Sequence, residues 1–224
     1  MQMKNRSAKA KQILELARHS GVVSTGEVRS EAIHHEYLRQ LCAEGKLVRE
    51  GRGLYTLPDA DITVHHGLAQ ASKAIPKGVI CLLSALRFHE IGTQAPHEIW
   101  MAIDRRAARP RIKHPKMRIV RFSGKALTEG IEERRVEGVP VKIYNPAKTV
   151  ADCFKYRNKI GLDVALEALR DVIRDRKSST DELWRYAKIC RVTNVIRPYM
   201  EAIIRPRIRY PRWQLRRSQP KPRS

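Results

Sequence analysis

The sequence contains no run of the roughly 18 apolar residues needed for a membrane-crossing helix. Met1, Gln2, Met3 and Lys4 lead into a polar helical pattern, not the apolar core of a secretory signal. A soluble, cytoplasmic protein without membrane contact is therefore expected. Cysteine is scarce: Cys42, Cys81, Cys153 and Cys190 lie far apart in apolar patterns, with no Cys-x-x-Cys pair and no zinc-type Cys/His cluster. They read as reduced core residues. Nucleotide chemistry has no foothold either. There is no Gly-Ser dipeptide to open a nucleotidyltransferase loop, no Walker-type glycine-rich loop and no Gly-x-Ser-x-Gly elbow. No internal repeat is visible, so a solenoid is not indicated.

Acid is the other shortage. The 224 residues hold 23 Asp plus Glu against 45 Lys plus Arg, a formal charge of +22. Such an excess attracts polyanions, with nucleic acid as the default partner, but charge alone would equally suit a ribosome or an anionic membrane. Hydrophobic residues make up 42% of the chain, enough for a packed core inside a charged surface. The length fits a small domain beside a larger one.

The first 58 residues carry the densest signals. Residues 8–20 place Ile13, Leu14 and Ala17 at helical spacing, with Gly21 suited to the stop. Ser24 and Thr25 can cap a short helix through Glu27, Val28 and Arg29, where the Glu27 charge suits the helix dipole. A third helix over 34–44 aligns Leu38, Leu41 and Cys42, and Gly45 ends it. Two short β-like runs, 46–50 and 54–57, flank a Gly51-Arg52-Gly53 turn. Three helices followed by such a hairpin predict a winged helix-turn-helix, with the hairpin as wing. In that motif the later helix enters the major groove. His34, His35, Glu36, Arg39 and Gln40 are then its outward residues, with Arg39 and Gln40 the best candidates to read bases. Thr25 at the preceding helix start, and Lys46, Arg49 and Arg52 around the wing, are expected on phosphates, giving affinity more than specificity. The competing reading is a solvated basic face.

Residues 58–61 read as a linker, after which the signals describe a second unit over 59–204. Its expected elements are helices over 64–75 and 79–91, strands over 98–103 and 117–122, and a hairpin of 131–136 with 139–144 turning at Gly138. Helices follow over 147–156, 162–176, 181–190 and 195–204, the second striped by Val164, Ala165, Leu169 and Val172. The fold class expected is α+β: a winged helix-turn-helix, then a larger α+β domain with a small sheet and C-terminal helices. Residues 205–224 hold eight Lys or Arg, four prolines and no acid, the composition of a disordered basic tail. Tyr210 and Trp213 among its arginines would suit non-specific nucleic-acid contact.

GRGLYTLP at the end of the head, VICLLSALRFHEIGTQAPHEIWMAID, YNPAKTVADCFKYRNKIGLDVALEALRD and NVIRPYMEAI together resemble the AbiEi family of type IV antitoxins, transcriptional regulators of viral defence systems, over about residues 9–204. The resemblance implies an N-terminal winged helix that represses its own operon at inverted repeats in double-stranded DNA. It also implies a C-terminal domain that counters a nucleotidyltransferase-like toxin encoded alongside, with no cofactor and no enzymatic activity. Family heads usually carry more arginine where this chain has His34 and His35, so the operator sequence does not carry over. The family does not fix whether a monomer or a dimer sits on the DNA.

Two rival readings remain open from the residues. A stand-alone regulator would use the body for sensing or dimerisation. A metal-dependent nuclease would use Glu90, Glu98 and Asp104, although the lysine such a site needs is replaced by Arg105-Arg106-Ala107. His65, His66, His89 and His97 lack ligand spacing and read as structural. Ser84 reads as a small packing residue, and Lys148 with Asp152, four apart, as an ordinary helical ion pair. The segment containing Arg105, Arg106, Arg109, Arg111 and Lys113 reads either as a solvated connector or as a second surface for a partner or nucleic acid.

Overall fold

The computed structural model describes residues 2–204 apart from 61 and 113. Lys113 and the tail at 205–224, with Tyr210 and Trp213, lie outside the described residues. The N-terminal part runs α1 (Gln2–Ser20), β1 (Val22–Ser24), α2 (Thr25–Ser30), α3 (Glu36–Ala43), β2 (Val48–Gly51) and β3 (Leu54–Thr56). Ile13 and Ala17, one turn apart on α1, are buried with Val28, Leu38 and Leu41 in one apolar cluster. Gly21, at φ +59°, turns the chain from α1 into β1. The β2–β3 hairpin appears as expected. The small sheet, however, has three strands in the order β1-β3-β2, with Val22 opposite Thr56 and Ser24 opposite Leu54. The third helix begins at Glu36, two residues later than its pattern predicted.

The rest of the chain comprises α4 (His66–Ala74), β4 (Val79–Ile80), α5 (Leu82–Phe88), β5 (Ile99–Asp104), β6 (Met117–Phe122), α6 (Lys125–Thr128), β7 (Ile131–Val136) and β8 (Val139–Tyr144). Five helices close it: α7 (Pro146–Lys155), α8 (Arg157–Ile160), α9 (Leu162–Arg174), α10 (Thr180–Cys190) and α11 (Thr193–Ile204). The protein is thus of mixed α and β structure with two small sheets. The larger sheet has the order β6-β5-β4-β8-β7. β4 pairs antiparallel with β5 and parallel with β8, while β5 and β6 run parallel. The single helix expected over 79–91 is therefore replaced by a strand and a shorter helix. The reason is visible in the packing. Val79 belongs to the cluster under α7, α9 and α10, and Ile80 to the cluster under α4. Successive residues enter opposite cores, as strand geometry requires in a sheet covered on both faces. Trp100 and Met101 on β5, and Tyr144 and Ile143 on β8, divide in the same way.

The second of these clusters does not stop at the larger sheet. It takes in Val22 and Leu54 from the three-stranded sheet, so α4 is packed between the two sheets and the apolar interior is continuous across residues 58–61. The β7–β8 turn follows its prediction: Glu137 and Gly138 both have positive φ, 51° and 79°, as a two-residue hairpin turn demands.

Lys148 and Asp152 form the expected i,i+4 ion pair, but in an enclosed environment that their spacing did not announce. The pair is fully buried, both side chains being 0% exposed with Nζ 2.5 Å from Oδ2. The Lys148 ammonium lies 4.0 Å from the centroid of the Tyr144 ring and 4.8 Å from that of Phe122. The Cys190 thiol donates to the other Asp152 oxygen at 3.2 Å. Burial pushes the Asp152 carboxyl up, while the Lys148 charge and hydrogen bond pull it back. The i,i+4 spacing was legible, but α7 is enclosed on every side by the sheet, α9 and α10. Burial likewise holds the Cys81 and Cys153 thiols well above their ordinary range. Cys81, Cys153 and Cys190 are buried and Cys42 half-buried, and all four are free thiols. Removing one partner of such a pair leaves an uncompensated buried charge. Lys148→Met should cost about 3–5 kcal/mol in urea unfolding, and Lys148→Met with Asp152→Leu should recover a large part of that loss.

A candidate nucleic-acid interface

The N-terminal end of α2 is held by a reciprocal pair of hydrogen bonds. Ser24 Oγ accepts from the Glu27 amide at 3.2 Å, and Glu27 Oε2 accepts from the Ser24 amide at 2.9 Å, a complete capping box. The other Glu27 oxygen pairs with Lys73 of α4. Thr25 then joins this helix to the hairpin turn, its amide donating to the Gly53 carbonyl at 2.8 Å. Gly53 sits at φ +75°, and a Cβ there would lie 3.0 Å from Thr25 Oγ1. Thr25, expected to contact DNA, thus also positions the turn that carries Arg52.

The outward ridge of α3 holds Glu36 and Arg39. Arg39 Nε meets Glu36 Oε1 at 3.1 Å, yet the arginine side chain remains 83% exposed. Gln40, one turn after Glu36, is less exposed than Arg39. It lies half-buried in the concavity between α1 and α3, beside Tyr37 and Leu41. Of the two residues expected to read bases, Arg39 is thus the fully exposed one, and Gln40 stands one position further round towards α1. His34 and His35 are exposed, with ring centroids 4.4 Å apart, and His34 Nδ1 accepts from the Glu36 amide at 3.2 Å. Lys46 is paired with Glu44 at 2.8 Å. Arg49 donates to the Gly51 carbonyl at 3.2 Å, and Arg52 projects from the turn.

The larger sheet brings a further group to this place. A Cβ on Gly51 would lie 3.3 Å from the His114 carbonyl, and Arg49, Arg52, Arg111 and His114 line a common concavity of about 770 Å³. The basic segment, read either as a solvated connector or as a second surface, is spread over two places. Arg111 joins the hairpin turn, whereas Arg105 and Arg106 stand with Ser123 and Gly124 at the other end of β5 and β6. Arg109 is exposed between them. Arg121 fixes the start of the segment by donating to the carbonyls of Arg105 and Ala107, each at 2.8 Å. His114 and Arg121 carried no signal in the sequence, because their roles depend on which strand ends meet.

Other candidate sites resolve into structural contacts. Glu98 pairs with Arg118 at 2.8 Å, and the Asp104 carboxylate accepts from the Arg106 amide at 2.7 Å. The intervening strand keeps these two acids roughly 20 Å apart at strand rise, too far to share a metal ion. Among the described residues no group of three His, Cys, Asp or Glu side chains is arranged to hold a metal. Ser84 Oγ accepts from the Trp100 amide at 2.9 Å, while His89 Nε2 lies 2.8 Å from the Tyr144 carbonyl. Burial lowers the His89 pKa, only partly offset by that backbone contact. Among the described residues no helix is long and apolar enough to cross a membrane.

Residues 11–58 match the family model for the AbiEi antitoxin transcriptional regulators. That span covers α3 and the hairpin, together with all nine of the N-terminal candidate residues named above. The stretches of resemblance beyond residue 58 lie outside this match. Among solved structures, the RV2827C protein from Mycobacterium tuberculosis is similar in fold, with a TM-score of 0.50 and 17% identity over 81% of this chain and 71% of that one. No curated protein matches the chain.

The joint between the candidate interface and the larger sheet is polar as well as apolar. Glu137 accepts from the Thr63 amide and hydroxyl at 2.7 and 2.8 Å, and its second oxygen lies 2.6 Å from His66 Nδ1. His66 thus has an acidic partner 71 positions away, which no local spacing announced. Gln70 continues the chain of contacts from His66 to Glu50 on β2. Burial would raise the Glu137 carboxyl, but the His66 and Thr63 hydrogen bonds outweigh it and hold the group below the usual glutamate range. A folded-state value below the unfolded one adds stability above the ordinary glutamate pKa of about 4.3, and that stability is lost as pH falls through the folded value. Glu137→Gln should therefore be less stable than the parent at pH 7 in urea unfolding, with the difference shrinking below about pH 4.

Proposed function

We propose that the protein is a DNA-binding autorepressor and antitoxin. Its N-terminal residues act as a winged helix-turn-helix on inverted repeats upstream of their own operon, and its larger part counters a nucleotidyltransferase-like toxin in phage defence. The observation that carries the reading is that the AbiEi regulator match over 11–58 coincides with three helices and a hairpin whose outer edge presents Arg39, Arg49 and Arg52. In this reading α3 lies in the major groove with Arg39 facing base edges, where a guanidinium can engage guanine in two hydrogen bonds. Arg49 and Arg52 take phosphates beside the groove, and Arg111 and His114 extend that contact from the body. Glu36 holds Arg39 in the absence of DNA and releases it to the base.

The antitoxin role rests on the resemblance of the longer stretches, and the protein is proposed to perform it without a catalytic centre or cofactor. Rescue of growth when the chain is co-expressed with the neighbouring toxin tests that role. Failure of rescue beside intact operator binding would leave a stand-alone regulator.

A mobility-shift titration of the full chain on its upstream DNA against scrambled DNA, at two salt concentrations, tests the first role. Arg39→Ala should cost on the order of 1–3 kcal/mol at the operator and leave scrambled DNA almost unaffected. Arg52→Ala should weaken both DNAs alike and reduce the salt slope by about one. Equal losses on both DNAs from both changes would refute the groove assignment.

A further inference from the structure

The carboxyl ends of the parallel strands β5 and β6 open onto a second basic region, away from the hairpin turn. Arg105 and Arg106 follow β5, and Ser123, Gly124 and Lys125 follow β6. Lys155 from the end of α7 and Arg191 from the end of α10 complete a concavity of about 490 Å³ around Gly124. Arg105, Arg106, Lys125, Lys155 and Arg191 are all exposed, and among the described residues none forms an ion pair with a carboxylate. Cations contributed by four separate segments converge there, outnumbering the exposed Asp104 carboxylate that lines the same opening.

Two backbone features mark the same spot. Gly124 adopts φ +54° and ψ −144°, a conformation open essentially to glycine alone, yet no atom lies within 4 Å of where its Cβ would be. The main chain is thus left uncovered towards the concavity. Arg191 ends α10 in the left-handed region, φ 60° and ψ 42°, where glycine or asparagine is the easier residue. An arginine kept there at a conformational cost places its guanidinium beside Lys155 and Gly124.

The track continues past Lys125 and Ile189 into an adjoining concavity with Lys188 and the half-buried Trp184, which also holds Asp181 and the Arg185–Glu129 ion pair. Trp184 in the middle of α10 and Arg191 at its C-cap are seven positions apart, about 10 Å along a helix axis. Unpaired cations that follow a backbone, ending at an aromatic ring, are the two components of single-strand recognition: phosphates are neutralised and a base stacks. A duplex keeps its base faces stacked internally and has no use for the ring.

We propose that this track binds single-stranded nucleic acid, with phosphates over Arg105, Arg106, Lys125, Lys155 and Arg191 and a base against Trp184. The surface is separate from the α3 and hairpin interface, because β5 and β6 hold the two ends roughly 20 Å apart. Its length suits the lower end of the roughly 4–16 nucleotides taken by small single-strand-binding folds.

The test is fluorescence anisotropy of a labelled mixed-sequence 12-nucleotide RNA with the full chain, at two salt concentrations. Lys125→Glu with Lys155→Glu should weaken binding at least tenfold and lower the salt slope by about 1.4, two single-strand phosphate contacts. Lys142→Glu, an exposed lysine on β8, should leave affinity unchanged, and thermal melting should show all variants folded. Trp184→Leu should weaken binding roughly tenfold while leaving the salt slope intact. Unaltered RNA affinity in the double variant overturns the proposal, since it assigns binding to another basic segment. So does displacement of the RNA as readily by polyglutamate or by a duplex of the same sequence. Loss of RNA binding with Arg39→Ala and Arg52→Ala in place of the track variants assigns it to the N-terminal interface and overturns the proposal as well.

Discussion

Where the β7–β8 turn meets the end of α1, the chain leaves no room for a side chain. A Cβ on Gly138 would run into the His19 carbonyl, and one on Gly21 would lie 2.7 Å from the Glu137 carbonyl. Both glycines have positive φ, so conformation and contact demand the same residue. From this point Glu137 reaches Thr63 and His66, Gln70 reaches Glu50, and Lys73 reaches Glu27. Glu137 anchors the start of α4, and from α4 Gln70 and Lys73 reach Glu50 and Glu27 in the N-terminal part. The orientation of Arg39, Arg49 and Arg52 relative to Arg111 and His114 is therefore set by packing and by half-buried hydrogen bonds. Val22 and Leu54, which share a core with Leu68 and Ile80, add an apolar contribution to the same joint. In the proposed reading, a DNA molecule engaging α3 would meet one surface drawn from both sheets, with no ordering of a hinge between them to oppose binding.

Long amphipathic stretches were legible in the sequence because their signal repeats. Val164, Ala165, Leu169 and Val172 recur at helical spacing and all four are buried on α9. Ser24 with Glu27 announced a helix start through two residues whose mutual bonding is local. Two short strands, β1 and β4, were not legible. Val22–Ser24 and Val79–Ile80 offer three and two residues, too few for an alternation, and each is a strand only because a distant partner pairs with it. Val79 and Ile80 are also both buried, which removes the alternation that marks a half-exposed strand.

The candidate interface divides along the same physical line. Arg39 and Arg52 could be placed outward from helix phase and turn position. Gln40 could not, since a helical wheel separates inside from outside but does not say which flank α1 covers. His114 beside Gly51, and Lys155 and Arg191 beside Gly124, come from segments far apart in the chain, so only the strand order of the larger sheet brings them together. The Lys148 pair shows the converse: its spacing was read, but its environment depends on the helices that enclose α7.

The distribution of acids explains why so much positive charge faces outward. With a formal charge of +22, even complete pairing of every acid would leave many cations without partners. Several acids are also committed to internal work: Asp152 to a buried pair, Glu27 to a helix cap and Glu137 to the joint. Other acids pair with surface arginines, as Glu98 does with Arg118 and Glu129 with Arg185, and the excess of cations over acids is what remains. Such a surface repels itself in the compact state, so its retention asks for a counterweight, and released counterions from a bound polyanion supply one. Because unpaired cations occur both at the hairpin turn and around Gly124, at opposite ends of β5 and β6, neutralising one site leaves the field at the other largely intact beyond a screening length of about 8–10 Å. The two proposed surfaces would therefore be occupied independently, which a single basic face could not allow.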